Sequence, residues 1–389
     1  MSFPPPPKPV SLLGRHRILA PTAGVKVSPI CLGALNFGET WASALGECSK
    51  EQSFAMLDYF YSQGGNFIDT SVNYQEGESE QWLGEWMELR GKRDEMVIAT
   101  KFTGTQVGLA DKVIHSNYGG NSAKNIHTSI ERSLRNLKTS YVDIYYVHFF
   151  DYTTSIPELM HFLNALITSG RVLYLGVSNA PAWVVVKAND YARQHGLRPF
   201  SIYQGRWSAA SRDMEREIIP MCLEEGMAIA PWQVLGGGGF KSNEDGRTSS
   251  VGRTGKEDVV GKVLSGIAEK RDGAVHPVNV ALAYVMHKAP YVFPVLGGRK
   301  IEHMKSNIEA LGLKLTREEM KEIDGAYGFE MGFPSDFANP NNVMILGPRD
   351  ALVNKRTGTY DYVAGPEAIE PHQGAVDEDA GDRPMGEAK

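Results

Sequence analysis

Four residues of this sequence could together move a proton: Asp69, Tyr74, Lys101 and His148. Three of them close short runs that read as buried strands. Asp69 ends Asn-Phe-Ile-Asp at 66–69, Lys101 ends Met-Val-Ile-Ala-Thr-Lys at 96–101, and His148 ends Val-Asp-Ile-Tyr-Tyr-Val-His at 142–148. Buried strands ordinarily run out into turn residues, not into a carboxylate, an ammonium and an imidazole. In a parallel barrel the C-terminal ends of all strands share one face, and such barrels keep their active sites there. A phenol with an ordinary pKa near 10 becomes a better acid near neutrality if an ammonium within reach pulls that value down. Lys101 suits that role. Asp69 suits the role of its counter-ion, because a lone buried ammonium is costly. His148 could hydrogen-bond a carbonyl oxygen and orient it, or assist proton delivery. An isolated Asp–Lys pair would be structural and an isolated strand-end histidine a satisfied core residue; the order of the four, with the motifs that follow them, favours function. Tyr145 and Tyr146 read as strand packing.

The elements that must position these groups follow from periodicity. Eight strand-like runs lie at 28–35, 66–69, 96–101, 142–148, 172–178, 200–206, 227–232 and 292–297. Several are continuously apolar, as strands covered on both faces are. Helix-like segments alternate with them at 51–63, 121–137, 156–168, 181–194, 212–225, 265–270, 278–287 and 301–310. The alternation predicts an α/β fold, a (β/α)8 TIM barrel. Residues 16–27 are expected to form a hairpin at the barrel bottom, and the Gly- and Ser-rich stretch 235–255 a long mobile loop after strand 7. The expected organisation is a flexible segment at 1–15, one domain over 16–345, and an acidic C-terminal extension at 346–389, disordered from about 366.

Composition excludes several function classes. The chain has 389 residues, 42% hydrophobic and 22% charged, with a formal net charge of −6. Residues 366–389 carry seven acids against two bases, so the rest is close to neutral and no basic surface invites nucleic acid. No apolar run approaches the roughly 20 residues of a membrane helix, and the Pro-rich N-terminus lacks the apolar core of a signal peptide. A cytoplasmic protein, monomer or weak dimer, with no membrane or nucleic-acid partner is expected. The three cysteines are too scattered for a disulfide framework. The ten histidines are dispersed, with no His-Glu-x-x-His or Cys-x-x-Cys, so no metal is expected. Neither Gly-x-Gly-x-x-Gly after a strand nor Gly-x-x-x-x-Gly-Lys-Ser/Thr occurs, which removes the Rossmann and P-loop modes of nucleotide binding. Two features suit a nucleotide differently. A glycine run at 236–239 after the seventh strand offers backbone contacts to a pyrophosphate, and Arg299–Lys300 opening the last helix suit a phosphate dianion.

The wording of the segments then carries a resemblance. Asn-Phe-Ile-Asp-Thr-Ser-Val-Asn-Tyr (66–74), Ile-Ala-Thr-Lys (98–101), Tyr-Val-Asp-Ile-Tyr-Tyr-Val-His (141–148), Leu-Gly-Val-Ser-Asn (175–179), Tyr-Gln (203–204) and Leu-Gly-Gly-Arg-Lys (296–300) resemble the aldo-keto reductase superfamily over about 28–324. Ala-Pro-Trp-Gln-Val-Leu-Gly-Gly-Gly (230–238) resembles its fungal branch of aryl-alcohol dehydrogenases and norsolorinic acid reductases. The resemblance implies that Asp69, Tyr74, Lys101 and His148 are the catalytic tetrad. No side chain can supply hydride, so a nicotinamide cofactor is required, and the resemblance names it NADPH/NADP+. It implies that Ser178, Asn179 and Gln204 bind the carboxamide and that Trp232 stacks on the ring. Val234, Leu235, Gly236, Gly237 and Gly238 would border the pyrophosphate. Gly298, Arg299, Lys300, His303 and Asn307 would hold the adenosine end and its 2′-phosphate, with Asn36 and Asp69 as further contacts. Trp41, Phe149, Trp207 and His148 are expected to line the substrate pocket, where aromatic side chains suit a flat carbonyl compound. The expected reaction is NADPH-dependent reduction of an aldehyde or ketone, aromatic or a secondary-metabolite intermediate. Two other classes stay open at this point: a non-catalytic, cofactor-binding regulatory subunit of the same fold, as in potassium-channel β subunits, and a metal-dependent barrel hydrolase or isomerase.

Overall fold

Strands that are apolar on both faces need cover on both, and this chain supplies it by closing eight of them on themselves under a coat of helices. The computed structural model describes residues 7–108, 111–240, 255–271 and 275–372. A hairpin of β1 (Arg17–Ala20) and β2 (Ala23–Val27) comes first. The barrel strands are β3 (Cys31–Gly33), β4 (Phe67–Asp69), β5 (Val97–Phe102), β6 (Val142–Val147), β7 (Val172–Ser178), β8 (Ile202–Arg206), β9 (Ala228–Trp232) and β10 (Val295–Leu296). All neighbours are parallel, in the order β10-β3-β4-β5-β6-β7-β8-β9. The ring shuts where Ile229 donates its N–H to the Tyr291 carbonyl (2.9 Å) and accepts from Phe293 N–H (2.8 Å). Pro294, which has no N–H, interrupts the run expected at 292–297, so β10 is only two residues long.

The α-helices among the described residues are α1 (Ala42–Leu45), α2 (Lys50–Ser62), α3 (Glu78–Arg90), α4 (Ala123–Asn136), α5 (Ile156–Thr168), α6 (Ala182–Gln194), α7 (Ile218–Glu224), α8 (Lys256–Glu269), α9 (Pro277–Lys288), α10 (Ile301–Glu309), α11 (Arg317–Asp324), α12 (Ser335–Ala338) and α13 (Leu352–Thr357). Ser49, Ser122 and Ser155 cap α2, α4 and α5 by accepting a backbone N–H of the first turn, each cap worth about 1 kcal/mol. Helix α3 went unread in the sequence. Its acids and Gly84 dilute the pattern, yet Trp82, Leu83, Trp86 and Met87 are buried. Helix α8 is longer than the expected 265–270, and α7 is a short remnant of the expected 212–225, preceded by a 3-10 turn at Asp213–Glu215.

The inner core joins Leu19, Ala20, Ala23 and Val27 of the hairpin to Phe67, Val97, Ile144, Ile202 and Ala228 of the strands. Most of these strand residues begin their strands, so the hairpin closes the barrel at its N-terminal end and leaves the C-terminal face for chemistry. Of the expected N-terminal segment, Leu13 is fully buried, and residues 1–6 lie outside the described ones. So do 241–254 of the expected loop and 373–389 of the acidic extension. Among the described residues no helix is long and apolar enough to cross a membrane.

The Tyr146 ring on β6 lies against Gly176 on β7, its register partner. A Cβ at 176 would fall inside the ring's contact distance. Gly176→Ala should therefore destabilise the fold by about 1–3 kcal/mol through overpacking. An unchanged midpoint in urea unfolding would show that the interior can yield there.

Candidate active site

Register delivers the four groups to one place. Asp69 ends β4 opposite Ala99; Lys101 pairs with Tyr146 near the end of β5; His148 directly follows β6. Tyr74 opens a 3-10 turn, Tyr74–Gly77, just after β4. That turn holds Gln75 and Glu76 at φ 53° and 55°, a conformation costing of order 1 kcal/mol or more for residues with a side chain. The Gln75 side chain offsets this. It is fully buried, its Oε1 accepts the Trp41 N–H (2.6 Å), and its Nε2 donates to the Leu35 carbonyl (3.0 Å). The loop after β3 therefore braces the turn that carries the phenol.

Lys101 is the centre. Its side chain has no solvent exposure, and its Nζ donates to Asp69 Oδ1 in a short ion pair, to the Thr70 carbonyl (2.8 Å) and to Tyr74 Oη (3.3 Å). Three ammonium protons meet three acceptors. Asp69 Oδ2 accepts from Gln204 Nε2 at 2.9 Å, which links β4 to β8 across the barrel. Burial by itself disfavours the ammonium, but the Asp69 charge, helped by Tyr74, more than reverses this and holds Lys101 above its ordinary pKa. The expectation of a lowered phenol pKa is corrected. Burial pushes Tyr74 above its ordinary value; the Lys101 charge pulls it down, but the Asp69 charge pushes it up again. Tyr74 is thus a fully protonated donor, and the ammonium limits how weak an acid it becomes. Burial, and then the Lys101 charge, lower the His148 pKa to about 3, so its imidazole is neutral near pH 7. Its ring lies 5.9 Å from that of Tyr74, edge to face, and its Nδ1 lies 3.4 Å from Ser71 Oγ.

The residues expected to hold a nicotinamide are contiguous with this cluster. Ser178 ends β7, fully buried and in register with Gln204. Asn179 follows at φ 49°, which asparagine tolerates better than most residues. Its Nδ2 donates to the His148 carbonyl (3.2 Å) and to Ser178 Oγ (2.9 Å), and its Oδ1 accepts from Trp232 Nε1 (3.3 Å). The Val234 side chain is buried, so that residue could offer a ligand only its backbone, as could the 3-10 turn at Gly236–Gly238, whereas Leu235 between them is half-buried.

At the other end of the rim, Gly298, Lys300, His303 and Asn307 line one pocket together with Met56 and Phe60 of α2. Arg299 is not among the residues that line it. Its guanidinium lies against Gly46, in the space a side chain there would need. Asn36 is half-buried in the loop after β3.

The expected substrate residues divide. Phe149 is 44% exposed with its ring 5.7 Å from that of His148, and Trp41 is half-buried above the braced turn. Trp207 does not reach the mouth. It is fully enclosed, and its Nε1 donates to buried Glu215 (3.1 Å), so it presents no surface to a ligand. Among the described residues no group of three or more His, Cys, Asp or Glu could hold a metal. Sequence reasoning missed Thr70, Ser71, Asn73 and Gln75. Only Ser71 carried a signal, its spacing of two from Asp69, which continues the alternation of a strand face.

Because His148 stays neutral when folded and regains a pKa near 6.5 when unfolded, the stability it contributes is complete above pH 6.5 and is lost as pH falls towards 3. Unfolding free energies measured from pH 7 to pH 4 should decline less steeply for His148→Gln than for the wild type. Parallel curves would contradict a buried, neutral imidazole.

Comparison with known proteins gives a concordant result. The family model described as "Aldo/keto reductase family" matches residues 29–327. An aryl-alcohol dehydrogenase of Pestalotiopsis microspora is 54% identical, over 97% of this chain and 98% of that one. Norsolorinic acid reductase B of Dothistroma septosporum is 52% identical, over 92% of this chain and 94% of that one. An aryl-alcohol dehydrogenase [NADP(+)] of Phanerodontia chrysosporium is 47% identical, over 95% and 99%.

Proposed function

The chain belongs to the aldo/keto reductase family, and on that premise we propose that it reduces an aldehyde or ketone, carried on an aromatic ring, to the alcohol, with NADPH as reductant and Tyr74 as proton donor. The observation that carries the reading is the buried Lys101 ammonium bonded at once to Asp69 and to the Tyr74 hydroxyl, beside the amide groups of Asn179 and Gln204. The donor set fits the cofactor. Ser178, Asn179 and Gln204 offer hydroxyl and amide groups to a carboxamide, Trp232 offers a ring, and Arg299 and Lys300 offer two cations to a 2′-phosphate. When bound, the nicotinamide supplies hydride to the carbonyl carbon.

The chain's own groups act on the oxygen. Tyr74 gives its phenol proton to the carbonyl oxygen as negative charge develops there. The phenolate left behind is stabilised by Lys101, whose own charge is balanced by Asp69. Neutral His148 donates a second hydrogen bond to the same oxygen and fixes its direction. In the reverse reaction Tyr74 is the base. The balance is C=O + NADPH + H+ to CH–OH + NADP+. Aromatic substrates are favoured by the exposed ring of Phe149 and the half-buried Trp41 and Trp232, and by the substrates named for the relatives.

Tyr74→Phe should lower carbonyl-dependent oxidation of NADPH, read at the nicotinamide absorbance, by at least ~100-fold, with NADPH affinity nearly unchanged. Turnover retained within a few-fold would remove Tyr74 as the acid. Arg299→Ala should weaken NADPH by about 10–100-fold, the range for a charge-assisted hydrogen bond, and leave NADH untouched. Equal losses for both nucleotides would take phosphate recognition away from Arg299.

A further inference from the structure

Ser71 is fully buried beside the cluster and has no part in the steps above. Its Oγ lies 2.8 Å from Asn73 Oδ1, 3.3 Å from the Lys101 carbonyl and 3.4 Å from His148 Nδ1. A hydroxyl has one proton and cannot serve all three as donor. Which of them receives it matters, because His148 is neutral and carries a single N–H. In a neutral imidazole one nitrogen donates and the other accepts, and the partner of one nitrogen decides the state of the other. To hold a carbonyl oxygen, Nε2 must carry the proton, so Nδ1 must accept. Among the described residues Ser71 Oγ is the hydrogen-bonding partner found at Nδ1.

The orientation of the Asn73 carboxamide decides the direction of that bond. Its carboxamide makes no other side-chain hydrogen bond among the described residues, and its oxygen and nitrogen exchange places by a flip that moves no other atom. With oxygen towards Ser71, the placement in which Ser71 Oγ donates to Oδ1, the serine proton goes to Asn73, His148 becomes the Nδ1–H tautomer, and Nε2 meets the carbonyl oxygen lone pair to lone pair. With nitrogen towards Ser71, Asn73 donates to Oγ and the serine proton is released to Nδ1, the competing Lys101 carbonyl already accepting the Val72 N–H (3.1 Å). We propose that Asn73 and Ser71 form a two-residue relay, Asn73 Nδ2–H to Ser71 Oγ and Ser71 O–H to His148 Nδ1, that holds His148 as its Nε2–H tautomer. Ser71 and Asn73 are positioning residues; neither touches the reacting atoms. The direction of the relay rests on the reductase reading given above, which calls for a donor at Nε2.

Nitrogen NMR of protein labelled with 15N-histidine tests the relay without substrate, the His148 signals being assigned by their loss in His148→Gln. The wild type should show a protonated Nε2 and a bare Nδ1. Asn73→Asp, whose carboxylate can only accept, should draw the serine proton to itself and convert His148 to the Nδ1–H form. Ser71→Ala should give a mixture of tautomers, and Ser71→Thr, which keeps the hydroxyl, should restore the wild-type pattern. In turnover, Ser71→Ala should raise the KM for a carbonyl substrate about fivefold to tenfold with NADPH binding unchanged, the effect of one weakened neutral hydrogen bond. A wild-type Nδ1–H signal, or a tautomer indifferent to both Ser71→Ala and Asn73→Asp, overturns the relay. Should Tyr74→Phe retain turnover while the NMR pattern holds, the reductase reading falls and the relay stands.

Discussion

An ammonium with no exposure to water sits in the middle of this protein, and much of the surrounding structure answers to it. Moving such a charge out of water costs several kcal/mol even after relaxation. Lys101 is tolerable only because a carboxylate, a backbone carbonyl and a phenol surround it. The carboxylate in turn needs its second oxygen satisfied, and Gln204 does so from the far side of the barrel. One cation thereby ties β4, β5 and β8 together. Removing Asp69 would leave that charge uncompensated, so the same pair serves both the interior and the chemistry.

The cation also sorts the proton-bearing groups. Tyr74 and His148 are both kept neutral by burial, and Lys101 lowers the proton affinity of both, which works against the neutral phenol and for the neutral imidazole. It favours loss of the phenol proton and disfavours gain of a proton by the imidazole. The outcome is two neutral groups side by side, matched to the proposed roles of proton donor and hydrogen-bond donor. Environments that separate the behaviour of neighbouring titratable groups in this way are how acid and orienting roles are divided within a site.

Packing around the site is asymmetric. On the β4 side the strained turn of Tyr74 is braced by Gln75 against the loop after β3, so the phenol is held by long-range bonds and not by its own turn. On the β7 side Asn179, itself in a left-handed conformation, bonds to the backbone of His148 and to the indole of Trp232. His148, the expected carboxamide ligand and the expected stacking ring are thus parts of one connected set. A shift in any of them moves the others, and strain stored in both turns is consistent with a site whose geometry is imposed by its surroundings.

The sequence alone determined the barrel, the hairpin and the strand ends on which the four groups stand, because continuous apolar runs and their alternation with helices depend on local residue order. It also contained the family's wording at the tetrad and the rim. It did not reveal helix α3, whose burying face is diluted by acids, or the enclosure of Trp207 behind Glu215. The turn of Arg299 onto Gly46, the brace by Gln75 and the contact of Ser71 with His148 were likewise invisible, since each joins residues whose nearness is set by closure of the barrel or by a strained turn. The sign of the Tyr74 shift belongs to the same class. It is the sum of burial and two opposed charges arriving from different strands, and only the folded chain sets their distances.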